Sequence, residues 1–233
     1  MPNSQNSFHP DQYVYLSHMI NKDTPSFGNK NQFEMEKMRS ICCGDNVNES
    51  LIHIPTHLGT HLDLPLHFYK NGQSIEDYPA SFWIFNNPIF ISLESYKLVI
   101  YEEIIEKLNI IKKNKLETCD ILIIKTGIGA DRHKEKFWKE NPGFSPKLYS
   151  FFKKHLPVLR IFGFDSISLS SFQYRDIGKE AHMRFLNPEA PILILEDMKL
   201  DGIESFVQLR KIILAPLRIE KCDGVLCTII GVS

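Results

Sequence analysis

The sequence contains no apolar run that approaches the ~20 residues required by a membrane-spanning helix. Its first twenty-five residues are polar and lack the apolar stretch of a secretory signal. The net charge is only −1 over 233 residues, and this lack of a basic excess argues against nucleic-acid binding. We therefore expect a cytoplasmic protein with neither a membrane nor a nucleic-acid partner.

Cysteine is scarce, with five residues and no CxxC pair. An odd number of thiols without a secretion signal favours reduced side chains. Three catalytic motifs are also absent from the sequence: the GxSxG nucleophile elbow, the HExxH zinc-binding helix and the Walker phosphate loop. Any catalysis must therefore depend on another arrangement of residues.

The length and composition suit one globular domain, residues 1–233, in which we expect residues 1–12 to be a loose arm. Hydrophobic residues make up 43% of the chain, enough to bury a sizeable core. We predict buried strands at 120–125, where four apolar residues lie between Asp120 and Lys125, and in the apolar run at 191–195. The apolar spacing in 102–113 predicts an amphipathic helix. We expect an α/β fold with a curved mixed β-sheet or partial barrel and helices packed outside, of the swivelling β/β/α type.

The most informative stretch is residues 57–67, which read HLGTHLDLPLH. His57, His61, Asp63 and His67 all occupy odd positions, and the even positions are mostly leucine. In extended backbone, alternate side chains point to opposite faces, so the leucines can enter a core while the imidazoles and the carboxylate face one cavity. Burying so many polar groups without a partner would cost roughly several kcal/mol each. The cluster therefore predicts a metal site.

A straight strand cannot bring these candidate ligands together. At ~3.3 Å per residue, His57 and His61 would lie ~13 Å apart, too far for one ion. Gly59 permits a tight turn between them because it has no Cβ. Pro65 prevents a regular helix or a central strand from continuing. The sequence thus predicts a bent segment whose polar residues face inward.

Residues 57–67 resemble, position by position, the HxGTHxDxPxH motif of the cyclase-like metal-dependent hydrolases, which include bacterial kynurenine formamidase. The resemblance extends over most of the chain, because Glu180-Ala-His182 and Ile194-Leu-Glu196 match two later positions of the family. It implies that His57, His61 and Asp63 bind one ion and that His182 binds another. It also implies that Asp63 and Glu196 bridge the two ions.

Five candidate ligands are too many for one four-coordinate zinc ion with an open position. They fit two divalent cations, Zn or Mn, that share carboxylates. Asp197 is an alternative to Glu196, because the spacing of fourteen residues from His182 to Glu196 is slightly longer than usual. Asp165, at the end of a strand, is a candidate to hold a ligand histidine through a hydrogen bond.

The chemistry that follows from these ligands is hydrolysis of a small amide, formamide or cyclic amide, as in an arylformamidase. A bound divalent cation activates water for attack on the carbonyl. His67 is left over in the ligand count, and we assign it proton transfer to the leaving nitrogen, the role that the resemblance also implies. The alternatives are a lactonase, cyclase or dehydratase acting on another small acid, and a non-catalytic metal-binding protein.

Two further expectations concern the small-molecule substrate and the assembly. The resembling formamidases often carry a substrate-contacting Trp in the loop that corresponds to 21–32, where this chain has Phe27. We expect Phe27 to contact the substrate, and its difference from Trp argues against a kynurenine-type substrate. Because family members are commonly dimers or tetramers, we also expect a homo-oligomer.

Overall fold

A computed structural model describes residues 13–29, 33–93, 97–203 and 209–233, so the expected arm at 1–12 lies outside the described residues. No helix in these ranges is both long enough and apolar enough to cross a membrane. The strands are β1 (Tyr13–Tyr15), β2 (Glu34–Arg39), β3 (Glu49–His53), β4 (His61–Asp63), β5 (Ile84–Phe85), β6 (Pro88–Ser92), β7 (Val99–Ile100), β8 (Ile121–Lys125), β9 (Gly143–Phe144), β10 (Ile161–Phe164), β11 (Leu193–Glu196), β12 (Lys211–Pro216) and β13 (Gly224–Val232). The α-helices are α1 (Glu102–Asn109), α2 (Lys113–Glu117), α3 (Lys136–Lys139), α4 (Lys147–His155) and α5 (Arg175–Phe185).

One large mixed sheet organises the chain, with the strand order β5-β12-β13-β4-β11-β10-β8-β6 and β1 paired to β13. Strands β6, β8, β10 and β11 are parallel to one another. Strand β4 runs antiparallel to both of its neighbours, β11 and β13. The sheet curls into a nearly closed barrel with few helices around it. The expected fold, a single α/β domain with a curved mixed sheet and helices outside, is confirmed.

The parallel strands form the centre of the core because their side chains are apolar on both faces, as sheets covered on both sides require. All side chains from Ile121 to Ile124 are fully buried. Phe185 of α5 packs against Phe152 of α4 and Phe162 of β10, with ring centroids 5.9 and 5.5 Å apart. Burial of one such ring contributes about 1.5–3 kcal/mol. This packing fixes the position of helix α5 on the sheet.

The predicted helix at 102–113 is wrong at its C-terminal end. Helix α1 ends at Asn109, and a separate helix, α2, begins at Lys113. Ile104 and Leu108 are fully buried, whereas Ile110 is 80% exposed. Helix α1 therefore ends just before this exposed residue, and Ile111 packs against the core from the short segment between α1 and α2.

Candidate metal centre

The register of strand β4 against β11 brings two distant parts of the chain together. Glu196 lies directly opposite His61, and Ile194 lies opposite Asp63. His61 and Asp63 are two residues apart in an extended strand, so their side chains share one face of the sheet with Glu196. Because the pairing depends on this register, a slip of β4 by one residue would turn His61 and Asp63 to the face opposite Glu196.

The bend predicted between His57 and His61 is present. Gly59 has φ +66°, in the left-handed region that glycine adopts without steric cost. The two imidazole rings consequently lie 5.1 Å apart, centroid to centroid. The carbonyl of Gly59 also accepts a hydrogen bond from His61 Nδ1–H at 2.8 Å. This bond fixes the tautomer of His61 and leaves its Nε2 lone pair directed at the site.

His182 reaches the same site from helix α5. Its Nδ1–H donates to the carbonyl of Gly178 at 2.8 Å, so its Nε2 atom also faces the site. Gly178 permits helix α5 to approach the neighbouring loop closely, because a Cβ at this position would lie 2.0 Å from Ser170 Oγ. The ring of Phe68 stacks on His182 with a centroid distance of 5.0 Å. The imidazole of His182 is thus held on both its edge and its face.

Four donor residues converge at separations that suit a cation. The Nε2 atom of His61 lies 3.3 Å from Asp63 Oδ1 and 3.5 Å from Glu196 Oε2. The Nε2 atom of His182 lies 3.4 Å from Asp63 Oδ2 and 3.5 Å from Glu196 Oε1. Donors ~2.1 Å from a tetrahedral ion lie ~3.4 Å from one another. All four residues are buried, and His61 Nε2 has no hydrogen-bond partner within the described ranges, so the donor set fits a metal ion.

The protonation states of the site reflect its buried carboxylates. Burial lowers the pKa of His57 and of His182, but hydrogen bonds with Asp63 outweigh burial. The pKa of His57 is raised to about 9, with help from Asp223, and that of His182 to about 10, with help from Glu196. Burial raises the pKa of Asp63, yet hydrogen bonds from the imidazoles, His182 first, hold it well below its usual range. A metal ion would replace these imidazole protons, so its binding would release protons.

The carboxylate of Glu196 is held in place by groups that the sequence did not reveal. Its Oε1 atom accepts the backbone N–H of Leu169 at 2.6 Å and the hydroxyl of Ser168 at 3.2 Å. Asp197, the alternative to Glu196, instead accepts two nitrogens of Arg132 at 2.8 and 2.6 Å. The geometry therefore places Glu196, not Asp197, in the donor set.

Asp223 is a site residue that sequence reasoning missed. Its Oδ2 atom lies 3.0 Å from His57 Nε2 and 3.1 Å from His67 Nδ1. The contact with His67 thus involves Nδ1 and not Nε2. The opposite nitrogen of His57, Nδ1, lies 2.8 Å from Asp63 Oδ1. Gly224 makes room for the His57 ring, since a Cβ there would lie 2.3 Å from it. The Asp-Gly pair at 223–224 was the only local signal, and it does not reveal contacts with residues so distant in sequence.

The interpretation of Asp165 as a partner of a ligand histidine is wrong. Its carboxylate accepts the backbone N–H and the hydroxyl of Thr126, both at 2.7 Å, and the N–H of Gly127 at 2.9 Å. Burial raises the pKa of this carboxyl group. Asp165 therefore holds the loop after β8 and has no role at the donor set.

A cavity of about 380 Å³ opens above the donor atoms. His67 and Phe27, the candidates for proton transfer and substrate contact, both line it. Phe27 begins a 3₁₀ turn and packs against Phe172 with ring centroids 5.5 Å apart. The structure thus brings all seven sequence-predicted site residues to one cavity, namely Phe27, His57, His61, Asp63, His67, His182 and Glu196.

A comparison with protein-family models shows which family the chain belongs to. A family model described as "Putative cyclase" matches residues 14–171, more than half of the sequence. The chain belongs to this cyclase family. The match includes the 57–67 motif, whereas His182 and Glu196 lie beyond it and join the site through the fold. A search of curated proteins finds no match to this cyclase-family chain.

Solved structures share the fold of this cyclase-family chain. Isatin hydrolase A from Labrenzia aggregata, bound to benzyl benzoate, has a TM-score of 0.75 and 20% identity, over 95% of this chain and 93% of that one. A Bacillus stearothermophilus protein described as a predicted metal-dependent hydrolase has a TM-score of 0.73 and 18% identity, over 96% and 99%. A potential metal-dependent hydrolase with cyclase activity has a TM-score of 0.73 and 18% identity, over 95% and 98%. At such identities, these similarities establish the fold alone.

Proposed function

We propose that this cyclase-family protein is a metal-dependent hydrolase that cleaves the C–N bond of a small amide, formamide or cyclic amide, with arylformamidase-like chemistry. The observation that carries the proposal is the buried convergence of two imidazole Nε2 atoms and two carboxylates beneath an open cavity. The isatin hydrolase among the similar structures supports a substrate with a C–N bond, and the two other proteins support metal dependence.

The proposed ligands are His57, His61, Asp63, His182 and Glu196, and the proposed ions are Zn or Mn. The described donor atoms form two groups that share Asp63: one with His61 and Glu196, the other with His57 and His67. This sharing favours two ions over one. The same grouping places His57 with His67 rather than with His61. The assignment of each ligand to one of the two ions therefore stays a prediction.

The remaining residues of the cavity have proposed roles in turnover. When bound, a divalent cation activates a water molecule at neutral pH and polarises a carbonyl oxygen. His67 then donates a proton to the departing nitrogen, and Asp223 orients its ring through the 3.1 Å contact with Nδ1. Phe27 and Phe68 line the cavity beside His67 and would contact the apolar part of a substrate.

Chelation and reconstitution test this function. The protein is stripped of metal with a chelator, reloaded with Zn²⁺ or Mn²⁺, and assayed with formanilide, a small lactam and a small lactone. We expect hydrolysis of formanilide or the lactam only by the reloaded protein, because activation of water depends on the cation. Hydrolysis of the lactone alone would favour the lactonase alternative. Full metal occupancy without turnover of any substrate would contradict the proposal and favour a metal-binding protein.

We also propose that the chain is a homo-oligomer assembled through the hairpin of β2 and β3. The two strands pair with each other and with no third strand in the described chain. Met35 and Ile52 lie directly opposite each other and are 56% and 53% exposed. An isolated two-stranded hairpin is at best marginally stable in water, and exposed apolar clusters mark interaction surfaces. A second copy of the chain would cover these side chains.

The double substitution Met35→Asp and Ile52→Asp is therefore expected to convert the oligomer to a monomer. Association through the hairpin would require burial of two aspartates from each copy, which is unfavourable. Light scattering coupled to gel filtration measures the mass of each species. Val158→Asp serves as the control, since Val158 is 50% exposed but lies outside the hairpin. A wild-type protein that is monomeric at high concentration, or a double variant that stays oligomeric, would contradict the proposed assembly.

A further inference from the structure

Two basic residues of helix α5, Arg175 and Lys179, line the same cavity as the donor atoms. They lie seven and three residues before His182. Such steps place all three side chains on one face of an α-helix. At ~1.5 Å per residue, the Cα atoms of Lys179 and Arg175 lie ~4.5 and ~10.5 Å along the axis from that of His182. The two cations therefore form a row that leads away from the donor set.

Neither cation is neutralised by the described protein. No carboxylate in the described ranges lies within ion-pair distance of Arg175 or Lys179, and both residues are exposed to solvent in the cavity. Arg184 of the same helix, in contrast, pairs with Glu180 at 3.3 Å. Two unpaired cations in one cavity attract an anionic ligand and raise its local concentration.

The guanidinium of Arg175 is held in a fixed orientation. Its Cζ atom lies 4.1 Å from the ring centroid of Phe172 and 5.8 Å from that of Phe27. Its Nε–H donates to the carbonyl of Phe172 at 3.3 Å. This bond uses one of the five N–H donors of arginine, and the planar group can offer the others to a carboxylate. An oriented guanidinium loses less rotamer entropy on binding an anion than a free one.

The rest of the cavity wall suits an organic group between the anion and the reacting bond. Phe27, Phe68 and Ile167 contribute apolar surface beside the two cations. We infer that the substrate carries a carboxylate, bound by Arg175 and Lys179, and that an apolar spacer about the size of an aromatic ring separates it from the amide carbonyl at the donor set. The position of the amide rests on the proposed function; the position of the carboxylate rests on the two unpaired cations.

Two compounds that differ in one charge test this inference on the metal-loaded protein. The first, 3-formamidobenzoate, carries the carboxylate, and 3-formamidobenzamide replaces it with a neutral group of similar shape. We expect the wild-type kcat/KM to be about tenfold or more higher for the benzoate, chiefly through KM, since hydrogen bonds to charged groups contribute at this level. In the double variant Arg175→Gln and Lys179→Gln, this preference should fall to nearly one. Arg184→Gln, on the same helix, should keep it.

Binding is measured separately from turnover by calorimetric titration with 3-aminobenzoate and 3-aminobenzamide. If wild-type protein binds the aminobenzoate more tightly than the aminobenzamide, and the double variant loses this preference, the anion site is supported. Absence of hydrolysis of both formamides would then contradict only the proposed function. Hydrolysis of both formamides at equal kcat/KM, with equal binding of both amines, would overturn the anion site and leave the proposed function standing. If the two amines bind equally or not at all, and neither formamide is hydrolysed, both the anion site and the proposed function are contradicted.

Discussion

Replacing Glu196 with Gln is expected to abolish both metal retention and hydrolysis. Gln has the same shape as Glu but lacks the negative charge that faces two imidazole Nε2 atoms, at 3.5 Å from each. It also supplies a weaker ligand for Zn²⁺ or Mn²⁺. Because loss of an outer hydrogen-bond partner of a metal site already costs roughly 10–100-fold, loss of a ligand charge should exceed that range. Elemental analysis after gel filtration and the formanilide assay measure the two effects.

Glu180→Gln is the matched control for this variant. Glu180 lies two residues before His182, and its exposed carboxylate pairs with Arg184 at 3.3 Å rather than entering the cavity. An exposed pair of this kind contributes little to stability. We therefore expect the control to retain metal and activity. Full occupancy and full activity in Glu196→Gln would show that Glu196 is not a ligand.

His67→Ala is expected to retain metal but to lose turnover by about 10²- to 10⁴-fold, the usual contribution of a positioned acid or base. His67 lies in the cavity, and its contact with Asp223 involves Nδ1, so Nε2 is the nitrogen available for the substrate. Metal content and kcat are measured on the same preparation. Added imidazole should restore part of the activity, because it can enter the space that the side chain leaves.

The alternative for His67 is a ligand role, since its donor atom lies within 4.8 Å of those of His57 and Asp63. In that case His67→Ala would lose one ion per chain, and imidazole would act only when metal is supplied with it. His133→Ala serves as the control because His133 is exposed and does not line this cavity. Unchanged turnover in His67→Ala would contradict either role.

The parts of the site that the sequence predicted are those encoded locally. In residues 57–67 the candidate ligands alternate with mostly leucine, Gly59 permits a bend, and Pro65 prevents a regular helix or central strand from continuing. Both constraints act within one short segment, so they are readable without the fold. The strands predicted at 120–125 and 191–195 are likewise present and buried, as Ile121–Lys125 and Leu193–Glu196, since strands covered on both faces are mostly apolar.

The parts that the sequence could not predict depend on which strands pair. Asp223 reaches His57 and His67 because β13 lies beside β4, with Gly224 opposite Asp63. Nothing within the residues around Asp223 encodes that neighbour. The candidate role of Asp165 beside a ligand histidine is wrong for the same reason. A carboxylate at the end of a strand can bond to any adjacent loop, and only the order of β8 and β10 shows that Thr126 is its partner. The resemblance supplied His182 and Glu196, which local patterns alone would not single out.

The central claim is that His61, Asp63, His182 and Glu196 bind divalent cations in one shared site. The most direct test is anomalous X-ray diffraction, at the zinc absorption edge, from a crystal of protein loaded with stoichiometric zinc. We expect anomalous zinc peaks within about 2.0–2.2 Å of each of the two Nε2 atoms and of the carboxylate oxygens, which two ions would share. Zinc peaks elsewhere on the protein, with none within bonding distance of these four residues, would contradict it.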